Sequence, residues 1–217
     1  FFWPPFLPPP QPPTPKPAPL DQYLFLLHVG DNIYGGLEHI DSTALLADRN
    51  SLPPFEIGAA NDAYTQLLGL FSHEYFHAWN VKSIKPEAFV PYHLDRENYT
   101  EQLWAFEGIT SYYDDLFLAR SGCISPEAYL NLLAQGITRV QQTQGRLKQT
   151  LAESSFTAWN KFYKQDENSP NAIVSYYQKG ALAALCLDLL IRSKSAGRHS
   201  LDSVMCQHYL DWCATRQ

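Results

Sequence analysis

His73-Glu74-Tyr75-Phe76-His77, set in the apolar run that ends at Trp79, decides how the rest of the chain is read. The surrounding pattern predicts a helix capped by Asp62 and running to about Trp79. On a helix, positions i and i+4 stand one above the other, so both imidazoles can reach a single metal ion. Glu74 lies about 100° round from His73, where its carboxylate reaches a metal-bound water rather than the metal. Zinc lowers the pKa of such a water towards ~7, and a neighbouring carboxylate can then take its proton. At this chain's composition, about 0.02 chance occurrences of His-acid-x-x-His are expected. The plainer alternative is a surface helix with two histidines.

A catalytic zinc takes three protein ligands and keeps a fourth position open. The candidate third ligand is Glu107, in Trp104-Ala105-Phe106-Glu107-Gly108-Ile109-Thr110-Ser111-Tyr112-Tyr113 on the next predicted helix. Two antiparallel helices would bring it to the histidines. An unpaired carboxylate in so apolar a stretch is costly, and a metal would neutralise it. A capping or salt-bridging Glu107 is the alternative. Asp114, seven positions beyond Glu107 on nearly the same helix face, is the candidate to hold a metal-binding histidine through its second nitrogen. His39 and His93 are either pocket-lining or ordinary surface histidines.

The 217 residues leave room for one domain, at most two. Hydrophobic residues make up 45%, which supplies a core and excludes a wholly disordered chain. Sixteen basic against 22 acidic side chains give a net charge of −6. That lacks the positive excess non-specific nucleic-acid binding needs, so no nucleic-acid partner is expected. Four cysteines without a CxxC pair make neither a zinc ribbon nor a disulfide scaffold, and Cys186 reads as a small core hydrophobe. Phe1-Phe2-Trp3-Pro4-Pro5 lacks the basic and apolar regions of a signal peptide. The longest apolar stretch, Gly180 to Ile191, is interrupted by Asp188 and too short for a bilayer. These features predict a soluble, cytoplasmic chain with no membrane partner. The missing initiating Met suggests a piece of a longer one.

Ten of the 16 prolines lie between Pro4 and Pro19, which marks residues 1–20 as an extended leader. It is either a linker or a ligand for an SH3-like groove, with Lys16 as basic flank. Residues 21–217 are expected to form one unit, with a β portion over about 21–58 and a helical lobe over about 59–217. Tyr23 to Val29 reads as a buried strand and Gly35 to Ile40 as a second, while 41–58 reads as loop. Helices are expected from Asn98 or Thr100 to Arg120, from Ser125-Pro126 towards Gln144, from Ser175 to Ser193 and from Ser200 to Thr215. Strands first and helices after indicate an α+β fold.

His73-Glu74-Tyr75-Phe76-His77-Ala78-Trp79-Asn80-Val81-Lys82, followed by Trp104-x-x-Glu107-Gly108-x-Thr110-Ser111-Tyr112-Tyr113, resembles the glycyl aminopeptidase family. Members are gluzincin metallopeptidases that usually carry a C-terminal PDZ domain. Gly35-Gly36-Leu37-Glu38-His39, Ser42-Thr43-Ala44-Leu45, Glu153-Ser154-Ser155-Phe156-x-Ala158-Trp159 and Ser175-Tyr176-Tyr177-x-Lys179-Gly180 extend the likeness from about Tyr23 to the C-terminus. The resemblance implies a thermolysin-like catalytic domain holding one Zn2+ per chain. His73, His77 and Glu107 would be the metal ligands and Glu74 the general base. It further implies that Glu38 faces the free amine of a peptide substrate and that Tyr177 donates to the developing oxyanion, with Tyr176 as competitor. Their alternatives are a strand-edge Glu38 and a packing tyrosine. The implied activity is removal of N-terminal residues, small ones such as Gly or Ala, from peptides. A truncated zinc-binding fragment without turnover, or an interaction scaffold, is the other reading.

Overall fold

The histidine-bearing helix is α1, Asp62–Phe76, in a computed structural model that describes residues 20–53 and 61–215. Its cap is Asn61 rather than Asp62: the Asn61 side chain accepts the Tyr64 amide at 2.8 Å, and Asp62 falls in the first turn. An Asn in extended backbone satisfies an amide that the helix leaves free, and an acid one residue on suits the positive end of the helix. The helix stops at Phe76, with His77 as its last αR residue, so the two histidines straddle its final turn. All but the last residue of the proline-rich leader lies outside the described residues.

The fold is α+β and mostly helical. Among the described residues its sheet has three strands, β1 (Leu24–Gly30), β2 (Gly35–Glu38) and β3 (Ser42–Asp48), in the order β1-β3-β2. β3 runs parallel to β1 and antiparallel to β2. Two expectations are corrected here. The stretch read as loop contains the central strand, with Thr43, Leu45 and Ala47 buried and Ala44 and Leu46 exposed. Only Thr43 of its seven residues is β-branched and none is aromatic, which mutes the strand signal. The run read as a buried strand is the sheet edge instead, with Leu24 and Leu26 each 56% exposed. An apolar run does not reveal which faces are covered; Phe25 reaches back to α1 with its ring 5.0 Å from that of Phe71, and Tyr23 donates to the Glu74 carbonyl at 3.1 Å.

After α1, the chain reaches a π-helical turn, Trp104–Gly108, which leads into α2, Ile109–Arg120. Asn98 opens no helix: it accepts the His93 amide at 3.1 Å and donates to the His93 carbonyl at 2.7 Å, folding its own loop. α3 (Pro126–Gln142) begins at the expected Ser125 cap. Then follow α4 (Leu151–Phe156), a π turn at Ala158–Phe162, α5 (Ser169–Ala172), α6 (Tyr176–Lys194, capped by Ser175) and α7 (Leu201–Thr215). Tyr112, Tyr113 and Leu116 of α2 pack with Ala184 of α6, Leu201 of α7 and Phe76 of α1. Asp188 stitches this core, accepting from Tyr112 at 2.8 Å, Arg192 at 2.7 Å and the Leu201 amide at 2.7 Å. Cys186, read as a core residue, is exposed. Among the described residues no helix is long and apolar enough to cross a membrane.

The π turn and α6 touch backbone to backbone. A Cβ on Gly108 would stand 2.5 Å from the Gly180 Cα, and one on Gly180 would stand 2.8 Å from the Trp104 carbonyl oxygen. Because neither neighbour is a flexible side chain, the helices would have to separate. Gly108→Ala is expected to lower stability by about 1–3 kcal/mol in urea unfolding. Gly136→Ala, on α3 with nothing within 4 Å of the new methyl, should raise it by roughly 0.5–1 kcal/mol. Equal effects at the two positions would refute the close-contact account.

Candidate metal centre

α1 brings His73 and His77 to one side of its final turn, and the π turn presents Glu107 opposite them. Glu107 Oε2 lies 3.2 Å from His73 Nε2 and 3.3 Å from His77 Nε2. The three ligand atoms all lie within 4.8 Å of one another. The far nitrogen of each ring is already engaged: His73 Nδ1 is 3.2 Å from Asp114 Oδ2, and His77 Nδ1 is 2.8 Å from the Asn80 carbonyl oxygen. A carbonyl only accepts, so His77 Nδ1 carries a proton, and in the neutral ring Nε2 turns a lone pair towards the Glu107 carboxylate. Lone pairs so aimed need a cation or an added proton between them.

The charges reflect this crowding. Burial lowers the His73 pKa, but hydrogen bonds to Asp114 and Glu107 outweigh it and push it up to about 10. His77 also rises against its burial, through the Glu107 charge. Burial alone would raise Glu107; the two imidazoles instead hold it well below the usual carboxylate range. Burial pushes the Asp114 carboxyl up.

These residues fit a zinc ion by spacing and by donor chemistry. Tetrahedral ligands about 2.0–2.1 Å from an ion stand roughly 3.3–3.4 Å apart. The 3.2 and 3.3 Å separations agree with that. Two imidazoles and one carboxylate form a donor set that zinc accepts. Glu74 supplies another sign: its Oε2 is buried and has no hydrogen-bond partner among the described residues, as a group that binds a water would be. Glu74 is pressed from behind by the sheet, since a Cβ on Gly36 would lie 2.1 Å from Glu74 Oε1. Burial raises the Glu74 pKa, which strengthens it as a proton acceptor.

Of the other residues singled out, Glu38 lies with Glu74 and His77 in a second group whose ligand atoms fall within 4.8 Å of one another. Its Oε1 is 3.2 Å from Lys82 Nζ, a partner the motifs alone do not reveal. The Tyr177 ring is centred 6.1 Å from that of His73. Tyr176 and Tyr177 stack at 4.6 Å, and both hydroxyls reach Tyr163, at 3.2 and 3.1 Å. Only Tyr177 lines the cavity that holds the histidines. Its pKa is raised, first by burial and then by the Glu107 charge, so it keeps its proton. His39 and His93 do not line the cavity that holds His73 and His77.

Asn80 was a matched letter in the motif with no assigned task, and it proves to join the two ligand segments. Its side-chain amide donates to the Phe106 carbonyl at 3.0 Å, to Thr110 Oγ1 at 3.1 Å and to the Ala105 carbonyl at 3.3 Å. Its own carbonyl holds His77. An Asn three residues beyond the second histidine was the available signal.

The M61 glycyl aminopeptidase family matches residues 66–183, a span that holds both histidines, Glu107, Asp114 and Tyr177. In three dimensions the chain is similar to an aminopeptidase N family protein from Idiomarina loihiensis, known from a crystal structure, with a TM-score of 0.88 and 50% identity. The likeness covers 90% of this chain and 33% of that one, so the chain spans a third of that protein's length. No curated protein matches the chain. With more than half of its residues in the family match, and with the histidine pair and Glu107 converging inside it, the chain belongs to the M61 glycyl aminopeptidase family.

Proposed function

We propose that residues 21–217 form the catalytic unit of a zinc aminopeptidase with a thermolysin-like arrangement, and that residues 1–20 take no part in its chemistry. The observation that carries this reading is the meeting of His73 Nε2, His77 Nε2 and Glu107 Oε2 beside a buried, unpartnered Glu74 oxygen. His73, His77 and Glu107 would hold one zinc ion. When bound, the ion supplies Lewis acidity, polarising a carbonyl and making water a stronger acid.

Within this reading each residue of the chain has a proton or an orientation to manage. Glu74 takes the proton of the attacking water on its free oxygen and delivers it to the departing nitrogen. Tyr176 donates to Tyr163, whose hydroxyl is 3.1 Å from that of Tyr177; with Tyr163 as the donor there, the Tyr177 proton is free for the oxygen that gains charge. Such a donor in a dry site is worth on the order of 10²–10³ in rate. Asp114 and Asn80 hold the rings of His73 and His77 by their far nitrogens. Glu38, less than 5 Å from Glu74, attracts the ammonium of a peptide's first residue, which takes over the place that Lys82 fills. The substrate is therefore a peptide with a free amino end. The family resemblance points to glycine or alanine there.

Metal analysis paired with hydrolysis of alanine- and glycine-linked chromogenic amides tests the reading. Wild type and Glu74→Gln should each hold one zinc per chain, with turnover only in the wild type. A folded, zinc-loaded wild type that hydrolyses no amino-terminal substrate would overturn it. N-acetylation should lower kcat/KM at least a hundredfold; equal rates on free and acetylated peptides would remove the aminopeptidase assignment. Asn80→Ala keeps the backbone carbonyl that holds His77 but removes the side-chain tie to the turn that carries Glu107, and is expected to weaken zinc about 10–100-fold in a competitive chelator titration. Unchanged affinity would show that Asn80 serves packing alone.

A further inference from the structure

Lys82 Nζ stands 3.2 Å from Glu38 Oε1, and each of the two side chains is 21% exposed. We propose that Lys82 is a specificity-determining residue: its ammonium is the resting occupant of the position at Glu38, and a substrate binds by replacing that ammonium with its own. The inference rests on the aminopeptidase reading and deepens it. Affinity becomes a difference between two ammonium groups, smaller than the attraction of a free one to an empty Glu38.

The two partners are held differently. Glu38 ends β2 and is paired in the sheet with Thr43, whose Oγ1 donates to the Leu37 carbonyl at 3.1 Å. Lys82 is held by its backbone, its amide donating to the His77 carbonyl at 2.9 Å. Around it, Ser83 Oγ donates to the Ala78 carbonyl at 2.8 Å and the Ile84 amide to the Trp79 carbonyl at 2.9 Å. The turn so closed keeps the buried Val81 at φ 142°, a conformation that a β-branched residue seldom adopts. Strain of this kind persists where the surroundings impose it, commonly at ligand sites. The turn therefore aims Lys82 at Glu38 from a fixed root, while the flexible stem beyond that root can swing.

The charges favour exchange. The ligand atoms of Glu38, Glu74 and His77 lie within 4.8 Å of one another, so two carboxylates crowd the position and a cation is favoured there with or without a peptide. Lys82 supplies it at rest. Lys85 weakens the hold of Lys82: burial lowers the Lys85 pKa and the Lys82 charge lowers it further, the mark of two ammonium groups close together. Glu38 also borders a second cavity lined by Asp95, Arg96 and Glu97. Two of those three are acids, so an ammonium that leaves Glu38 has carboxylates on that side. An entering peptide amine restores the cation that Lys82 withdraws, and the charge at Glu38 is unchanged. An acetylated end restores nothing, so Lys82 stays in place.

The test uses the zinc-loaded 217-residue chain and two variants. Lys82→Met removes the ammonium at similar length, and Lys82→Arg keeps the charge and grips a carboxylate with two donors. With the alanine-linked chromogenic amide, Lys82→Met should lower KM about three- to fivefold, the worth of a partly exposed ion pair. Lys82→Arg should raise it about threefold, and both changes should fall on KM rather than kcat. Ethylamine, whose binding is read by calorimetry without turnover, should shift by the same factors in the same directions. Neutral N-ethylacetamide should bind all three proteins alike; if it follows the order of ethylamine, the inference falls. A lysine that merely braced Glu38 or the turn would make Lys82→Met weaken ethylamine, so weaker or unchanged binding by that variant overturns the inference. Should Lys82→Met fail to fold by circular dichroism, Lys82→Arg decides alone: ethylamine held as tightly as by the wild type overturns the inference. If amides are hydrolysed and the order is absent, the inference falls and the aminopeptidase reading stands. If none of the proteins hydrolyses an amide, yet ethylamine binds most tightly to Lys82→Met and least to Lys82→Arg, the inference stands and the activity reading fails.

Discussion

The side chain of Asn80 is the point on which the geometry of the site hangs. α1 supplies two histidines and the π turn before α2 supplies the glutamate, and nothing in helix geometry relates one segment to the other. The buried Asn80 side-chain amide does so, by donating to the Ala105 and Phe106 carbonyls and to Thr110, while the backbone carbonyl of the same residue accepts from His77. These acceptors are available because the turn is π-helical: an extra residue in the turn leaves carbonyls without their ordinary helical partners, and Phe106 accepts from both Asn80 and Thr110. Since an unmet buried polar group costs about 1–3 kcal/mol, the network admits one arrangement and few near alternatives.

Two backbone contacts extend this arrangement to the rest of the site. Gly108 against Gly180 lets α6 lie directly on the π turn, which brings Tyr177, three residues before Gly180, beside Glu107 and His73. Gly36 against Glu74 lays β2 on that carboxylate, which excludes solvent from one of its faces and places Glu38 two residues further on. Each glycine is required by proximity, not by an unusual φ. The sheet and α6 thus both border one centre, and the linked hydroxyls of Tyr176, Tyr163 and Tyr177 extend that enclosure outward from α6.

Helices were legible where the signals are local. Ser125-Pro126 and Ser175 cap α3 and α6 as their chemistry predicts. Where long-range contacts decide, local signals misled. Asn98 looks like a helix cap but is taken by the backbone of its own loop, and the apolar run of β1 says nothing about being an edge. β3 was hidden because Thr43 is its one β-branched residue, and Leu45 and Ala47, which complete the buried face, are not the side chains that usually announce a strand.

For the site, the sequence alone determined the family and the pairing of His73 with His77, because a spacing of four on one helix is a covalent property of the chain. It also named Glu107, Asp114, Glu38 and Tyr177 as residues to watch. Which of them face one another was decided only by tertiary structure: Glu107 is 30 positions from His77 and Tyr177 is 70 beyond Glu107. Such distances close through packing at Gly108 and Gly180 and through the Asn80 network, neither of which has a periodicity to read. Lys82 against Glu38, and Tyr163 between Tyr176 and Tyr177, were likewise invisible, because a charge pair and a hydroxyl chain between separate segments leave no spacing in the sequence.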